Sequence, residues 1–213
     1  MSSSFCVLPI LPMKILSVNI RGFKRDGKAD WFKRMIASSS PIVAAVQETK
    51  CKKINDAWIE YLWGSQSVEY AVKYAVAIVN VYGPYSDEKK KRFWESLDSL
   101  CSFDNLAWVF CGDFNEVRSA SEREHTNFVH RRASLFNDFI HSNGLIDVPL
   151  LGKKYTRISD DGVQFSKLDR FLVSTSFAHM WNDLYVSALD WKLSDHTPLL
   201  LQNGQVDYGP KPF

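Results

Sequence analysis

Three apolar runs in the sequence end in carboxylates. Residues 42–46 lead into Gln47-Glu48-Thr49, residues 107–111 lead into Gly112-Asp113-Phe114-Asn115, and the stretch ahead of Thr197 holds Ser194-Asp195-His196. In α/β folds, ligand sites gather at the ends of buried strands. A carboxylate directly after such a strand costs burial free energy unless a cation or a basic partner compensates for it. Three acids in equivalent positions, each with a polar neighbour, point to one centre more readily than to three unrelated loop caps. The donors are oxygens, and the 4 Cys show no ligand spacing with the 5 His. The chemistry therefore fits a hard divalent ion, Mg²⁺ or Mn²⁺, better than zinc.

Strands and helices must bring those ends together, and the periodicity supplies both. Residues 14–20 (KILSVNI) alternate as a strand, and residues 30–37 place Trp31, Met35 and Ile36 at helical spacing behind Gly27. The run 42–46 is apolar throughout, as in a strand covered on both faces. Residues 54–63 carry a weak helical pattern, and residues 70–82 (YAVKYAVAIVNVY) form a β-rich stretch closed by Gly83-Pro84. Ser86 with Asp87 and Glu88 starts a helix whose core stripe is expected at Phe93, Leu97 and Leu100, with the basic run 89–92 on its solvated face. A strand at 107–111, a polar segment and a helix at about 131–142, stopped by Asn143-Gly144, come next. Short strands near 153–158, 163–173 and 184–201 close the chain, with Asp161-Gly162 turning a hairpin and a short helix at 177–181. Alternating strands and helices followed by clustered strands give an α/β class, two packed sheets flanked by helices.

The 213 residues carry a formal net charge of +2, with 46% hydrophobic and 23% charged positions and 14 Phe, 8 Tyr and 7 Trp. That balance excludes a disordered tail, a rod and a polybasic arm and makes one globular domain the default. No apolar run reaches the ~18 residues of a spanning helix, so no membrane partner is expected. Residues 1–13 are apolar and proline-containing without a basic flank, and read as a disordered leader ahead of a domain at 14–202. Cys101 and Cys111 sit in apolar surroundings suited to buried thiols, which favours a reducing compartment. Ten basic against five acidic side chains fall in residues 1–60. There Arg21, Lys24 and Arg25 lie near Lys28, Lys33 and Arg34, a cluster that either faces the phosphates of an anionic polymer or forms a solvated loop and helix face.

Six motifs in order carry a resemblance: Ser17-Val18-Asn19-Ile20-Arg21-Gly22, Gln47-Glu48-Thr49, Asn80-Val81-Tyr82-Gly83-Pro84, Gly112-Asp113-Phe114-Asn115, Leu168-Asp169-Arg170-Phe171-Leu172 and Ser194-Asp195-His196. Together they resemble the endonuclease/exonuclease/phosphatase superfamily, and within it the apurinic-like endonuclease domain of plant LINE-type (non-LTR) retrotransposons. The resemblance implies a four-layer αββα sandwich of the DNase I-like kind and a Mg²⁺-dependent phosphodiesterase that nicks DNA and leaves a 3′-hydroxyl. It implies that Glu48, helped by Asn19, holds Mg²⁺ (or Mn²⁺) against the scissile phosphate, and that Asp195 offers a second, weaker metal position. Asp113 would orient or deprotonate the attacking water, Asn115 and Tyr82 would steady the phosphate, and His196, paired with Asp169, would donate to a non-bridging oxygen. Arg21, Lys24 and Arg25 become candidate DNA contacts, DNA the partner of a monomer, and the nucleus the place of action. Residues 203–213 resemble the linker that in relatives leads toward a reverse transcriptase.

Only 34 positions separate Glu48 from Tyr82, fewer than the family's usual span, so the first sheet is expected to be incomplete. Val18 and Arg157 stand where the family usually carries aromatics. Three readings stay open at this point. One is a DNA endonuclease, another a phosphatase of the same superfamily acting on inositol phosphates or lipids, and the third a non-catalytic remnant that binds nucleic acid weakly.

Overall fold

The computed structural model describes residues 13–23, 27–51, 62–63, 76–102, 106–190 and 193–204. Residues 54–61 of the helix expected at 54–63, the first half of the 70–82 stretch, Lys24, Arg25, and most of the expected leader and linker lie outside the described residues, while Leu62 and Trp63 are helical. Met13 is described and packs in the core, its amide donating to Asn203 Oδ1 at 3.0 Å.

Two sheets are stacked face to face. The first has the order β2 (Val43–Gln47), β1 (Lys14–Asn19), β12 (Leu199–Asn203), β11 (Leu184–Ala188) and β7 (Leu150–Leu151). The second runs β3 (Val76–Tyr82), β4 (Ala107–Asp113), β10 (Asp169–Ser174) and β6 (Leu145–Asp147). A small three-stranded sheet, β5 (Arg123–Glu124), β9 (Phe165–Ser166) and β8 (Arg157–Ile158), includes the expected hairpin at Asp161-Gly162, where Gly162 takes φ 73°. The order of elements is mixed α/β, and among the described residues no helix is long and apolar enough to cross a membrane.

Period-2 alternation explains the layering. Ile15, Ala45, Val109, Phe171, Val173, Val186, Leu199 and Leu201 point between the sheets and form one core cluster. Leu16, Val18, Ile20 and Leu200 point outward onto α1 (Lys28–Ser39), which answers with Trp31, Phe32, Met35 and Ile36. On the far side Trp108, Phe110 and Leu172 meet α2 (Asp87–Cys101) and α3 (His130–Ser142) through Trp94, Leu97, Phe136 and Phe139. The four layers are therefore helix, sheet, sheet, helices. A fourth helix, α4 (Thr175–Met180), is capped by the Ser174 hydroxyl accepting from Phe177 N.

The stripe of α2 is rotated from the expected one. Trp94 and Leu97 are buried, Phe93 is half-buried and Leu100 is exposed. Lys90 shares the buried stripe, so the basic run 89–92 does not lie wholly on the solvated face. Its ammonium is satisfied inside by Asn115 O at 2.6 Å and Glu116 Oε2 at 2.5 Å.

The strands on either side of the short Glu48–Tyr82 span, β2 and β3, are the edge strands of their sheets among the described residues. They are tied across the sandwich, with Gln47 Nε2 donating to Asn80 Oδ1 at 2.5 Å and Asn80 Nδ2 to Val46 O at 3.1 Å.

Candidate active site

The inward-facing rows change from apolar to polar at one end of the sandwich. In β1 the row is Ile15-Ser17-Asn19, in β2 Val43-Ala45-Gln47, in β3 Ile78-Asn80-Tyr82 and in β4 Val109-Cys111-Asp113. β1 and β2 are parallel with Asn19 level with Gln47, and β3 and β4 are parallel with Tyr82 level with Asp113. Antiparallel β10 sets Asp169 directly opposite Asp113. The register alone thus collects Asn19, Tyr82, Asp113 and Asp169 at one mouth, and Glu48 follows one residue after its strand.

Two backbone features aim the loops there. Glu48 and Asn115 hold φ 51° and 50°, a left-handed conformation that costs a side-chain-bearing residue about 1–2 kcal/mol. The loops after β3 and β4 also approach closely. A Cβ on Gly83 would sit 2.1 Å from Phe114 O, and one on Gly112 would sit 2.1 Å from Val81 O. Both positions therefore require glycine. Gly83 N donates to Asp113 O at 2.7 Å, and Asn115 Nδ2 donates to Gly83 O at 2.7 Å.

Asn19 stands between two acids. Its Nδ2 donates to Glu48 Oε1 at 3.1 Å and to Asp113 Oδ2 at 3.2 Å, and its Oδ1 accepts from Arg21 N at 3.2 Å. Tyr82 OH donates to Glu48 Oε1 at 3.1 Å, and Lys50 Nζ lies 3.5 Å from Glu48 Oε2. Burial alone would raise the Glu48 pKa, but the hydrogen bonds from Asn19 and Tyr82 and the charge of Lys50 outweigh it and hold the carboxyl below its usual range. Burial pushes the Tyr82 phenol up, and its neighbours Tyr85 and Glu48 push the same way.

Asp113 is fully buried, and burial together with the charge of Asp169 raises its pKa to about 6, against the opposing pull of His196, Asn115 N and Asn19. Like charges directly opposite each other on neighbouring strands repel. His196 offsets this, with Nδ1 at 2.8 and 3.1 Å from the two Asp169 oxygens and Nε2 at 3.8 Å from Asp113 Oδ2. Burial would lower the His196 pKa, but Asp169, Asp113 and Asp195 raise it to about 9, so the ring is a cation at neutral pH. Asp113, Asp169 and His196 bring three potential ligand atoms within 4.8 Å of one another. A protonated ring whose Nδ1 is already held by Asp169 has no lone pair to give a metal, so the oxygen of ionised Glu48 is the better donor.

Asp195 and Arg21 meet each other. Asp195 Oδ2 lies 3.0 Å from Arg21 NH1 and accepts from Arg157 Nε at 3.1 Å, while Arg21 NH1 also pairs with exposed Asp160 at 3.0 Å. Two guanidiniums therefore already supply the compensation that a second ion would, and of the two Asp195 oxygens Oδ1 has no hydrogen-bond partner among the described residues. Arg157 stands beside His196 through a β-bridge.

Three supporting residues have no site role in the sequence pattern. Buried Thr156 accepts the amides of Leu168 and Asp169 on one hydroxyl, both at 2.9 Å, and fixes the start of β10. Ser194 Oγ donates to Asn19 O at 2.7 Å and accepts from His196 N at 3.2 Å. Lys90 holds the Asn115 carbonyl from behind. Only Ser194, two positions before a histidine, gave a turn signal. Arg170, adjacent to Asp169, points to the other face, where its buried guanidinium pairs with Glu122 and with Asp147 at 2.7 Å and lies over the Phe136 ring.

The fold is similar to those of several solved structures. An AP endonuclease from Archaeoglobus fulgidus aligns over 89% of this chain and 98% of its own, at 18% identity and TM-score 0.67. The 3′ phosphatase NExo from Neisseria, bound to a product DNA hairpin, aligns over 91% and 100%, at 17% identity and TM-score 0.69. The endonuclease domain of TRAS1, a telomere-specific non-LTR retrotransposon, aligns over 90% and 98%, at 14% identity and TM-score 0.62. At these identities the likeness is one of fold. No curated protein matches the sequence. The profile described as endonuclease-reverse transcriptase matches residues 76–200, more than half of the chain, and the chain belongs to that family, within the endonuclease/exonuclease/phosphatase superfamily.

Proposed function

We propose that the chain is a divalent-metal-dependent DNA endonuclease of the retrotransposon type, which nicks one strand and leaves a 3′-hydroxyl. The observation that carries this reading is the bridge of Asn19 between Glu48 and Asp113, beside an imidazolium held by Asp169. It joins a metal-suited carboxylate, a base and a cationic phosphate contact in one mouth.

Glu48 is the residue that would hold Mg²⁺ or Mn²⁺. Asn19 now faces the carboxylates with its amide nitrogen, and turning the amide over would present its oxygen instead. Asp195 has only Oδ1 left to offer a second position. When bound, the ion supplies charge neutralisation at the phosphate and at the departing 3′-oxygen. Asp113, with its raised pKa, takes the proton of the attacking water on Oδ2, since Asn115 N holds Oδ1 at 2.8 Å and the Asn19 amide that now donates to Oδ2 turns over to face the ion. His196 donates from Nε2 to a non-bridging oxygen, and Asp169 keeps it charged. Asn115 steadies the phosphate, Tyr82 does so once its hydroxyl turns from Glu48, and Arg21, with Lys24 and Arg25, contacts the DNA backbone. The retrotransposon-type role, not the fold, carries the nucleus, or otherwise the cytoplasm, as the place of action, and a monomer as the acting form.

The inositol-phosphate or lipid alternative lacks a comparable observation, and the six motifs favour the nuclease. Nicking of supercoiled plasmid by the 213-residue chain in Mg²⁺, absent in EDTA and in Glu48→Gln, is the expected result. No nicking under any divalent ion, with a folded chain, would favour the remnant. The ion should also raise the Tm of the parent and not of Glu48→Gln, because binding to the folded state alone stabilises it by mass action.

The two shifted groups fix the pH dependence. A base must be deprotonated, so activity falls as pH drops through about 6. A cationic donor must be protonated, so activity falls as pH rises through about 9. A bell-shaped kcat/KM profile between those limbs is expected. A profile flat from pH 5 to 10 would remove both role assignments.

A further inference from the structure

Beside the catalytic mouth, two tyrosines stand in the open. Tyr82 is 43% and Tyr85 66% exposed, their rings meet edge to face at 6.4 Å, and their hydroxyls are 3.5 Å apart. Tyr82 is committed to Glu48 through its hydroxyl. Tyr85, in the bend that follows Gly83-Pro84, leaves an amphipathic ring face in water. A groove of about 460 Å³ starts from these rings and continues over Pro84 and Phe93 to Lys89 and Arg92, a volume in the ordinary range of small-ligand sites.

The charges along α2 divide into two kinds. Lys90 pairs with Glu116, and Lys91 lies 3.9 Å from Glu95. Lys89 and Arg92, three positions apart and both exposed on the groove, make no ion pair among the described residues. In the neighbouring groove between α2 and α3, which Arg92 also lines, acids are interleaved and Arg132 is paired with Asp87. Exposed aromatic rings followed by unpaired cations, joined directly to a phosphate-cutting centre, are the two halves of a nucleotide contact: a face for a base and charge for its phosphate.

We infer that the groove from Tyr82 and Tyr85 to Lys89 and Arg92 is a nucleotide subsite, in which an unpaired base of the DNA strand stacks on Tyr85 and its phosphate lies against Lys89 and Arg92. This rests on the endonuclease reading and adds to it a preference for DNA with an unpaired nucleotide near the cleaved bond. Sequence discrimination is weak at such a site, because every base has a face to stack.

The test compares the parent, Tyr85→Ala, Tyr85→Phe and Lys89→Ala/Arg92→Ala, all as the full chain in EDTA. The probes are a fully paired duplex and the same duplex with one unpaired 2-aminopurine. The parent is expected to bind the second probe more tightly and to quench its fluorescence. Tyr85→Ala should lose the quenching and bind that probe about 5- to 100-fold more weakly, whereas Tyr85→Phe keeps both. The double variant should bind both probes more weakly and show a salt slope shallower by about 1, for the one phosphate that the two cations neutralise. Unchanged quenching in Tyr85→Ala, or an unchanged salt slope in the double variant, overturns the subsite. If the parent nicks plasmid in Mg²⁺ yet shows neither preference nor quenching, the subsite falls and the endonuclease reading stands. If it neither nicks nor binds either probe, both fall.

Discussion

Asp113→Asn is expected to lower the nicking rate by roughly 10³-fold while leaving the fold as stable as before, or more stable. Removing a general base typically costs 10²–10⁴ in rate. The stability half of the prediction follows from the sign of the pKa shift. Burial and the charge of Asp169 raise the Asp113 pKa from 3.8 to about 6, so at neutral pH its ionised form costs the folded state free energy. The amide is nearly the same shape, accepts the Asn115 N–H and removes that cost, provided that the Asn19 amide turns over so that its oxygen, not its nitrogen, meets the new NH2 group. His196→Ala should behave differently and lose activity and stability together. Asp169 is buried, and without the ring it becomes an uncompensated charge. The His196 pKa is raised from 6.5 to about 9, so its contribution is fully present below about pH 6.5 and is lost as pH rises through about 9. Thermal melts at pH 7 beside single-turnover nicking separate the cases. An Asp113→Asn chain that melts well below the parent would make Asp113 a structural residue.

The contrast shows which parts of the site could be read before the fold was known. Glu48 and Asp113 were legible because a carboxylate after an apolar run is costly in any context. Two packed sheets flanked by helices were legible because alternation in β1 and continuous apolarity in β2 and β4 state which faces are covered, whereas the four-layer αββα order came from the resemblance. The Asp169–His196 pair spans 27 positions and has no spacing signal, so it rested on the resemblance. Arg21 looked like a free cation because the partners that hold it, Asp160 and Asp195, are far away in sequence. Thr156 could not be seen at all, because its role depends on two backbone amides that the β10 register delivers. Tyr85 passed unnoticed because exposure, and not residue type, makes it a candidate.

Lys90 is the instructive miss, and its removal carries the largest expected stability effect. In a run of four basic residues a solvated helix face is the usual outcome. Yet Lys90, Trp94 and Leu97 fall at i, i+4 and i+7, one stripe of α2, and the stripe is buried. Burial pulls the Lys90 pKa down and Glu116 pulls it back up. The ammonium and the carboxylate, each about 2% exposed, neutralise each other at 2.5 Å, and Glu116 Oε1 also accepts Val117 N at 3.1 Å. Breaking such a pair from one side leaves a buried charge and typically costs 3–5 kcal/mol. Lys90→Met should therefore lower Tm by roughly 6–20 °C for a chain of this size. Replacing both partners, Lys90→Met with Glu116→Leu, should recover most of that loss, because a well-packed apolar pair often matches a buried ionic one. Activity should not recover with it. Asn115 sits at φ 50° with its carbonyl held by Lys90 at 2.6 Å, and an apolar replacement cannot hold that carbonyl. A double variant that regains Tm but stays about tenfold slower in nicking would make Lys90 a positioning residue for the Asp113–Asn115 turn. Full recovery of both would make it a structural ion pair that happens to lie beneath the site.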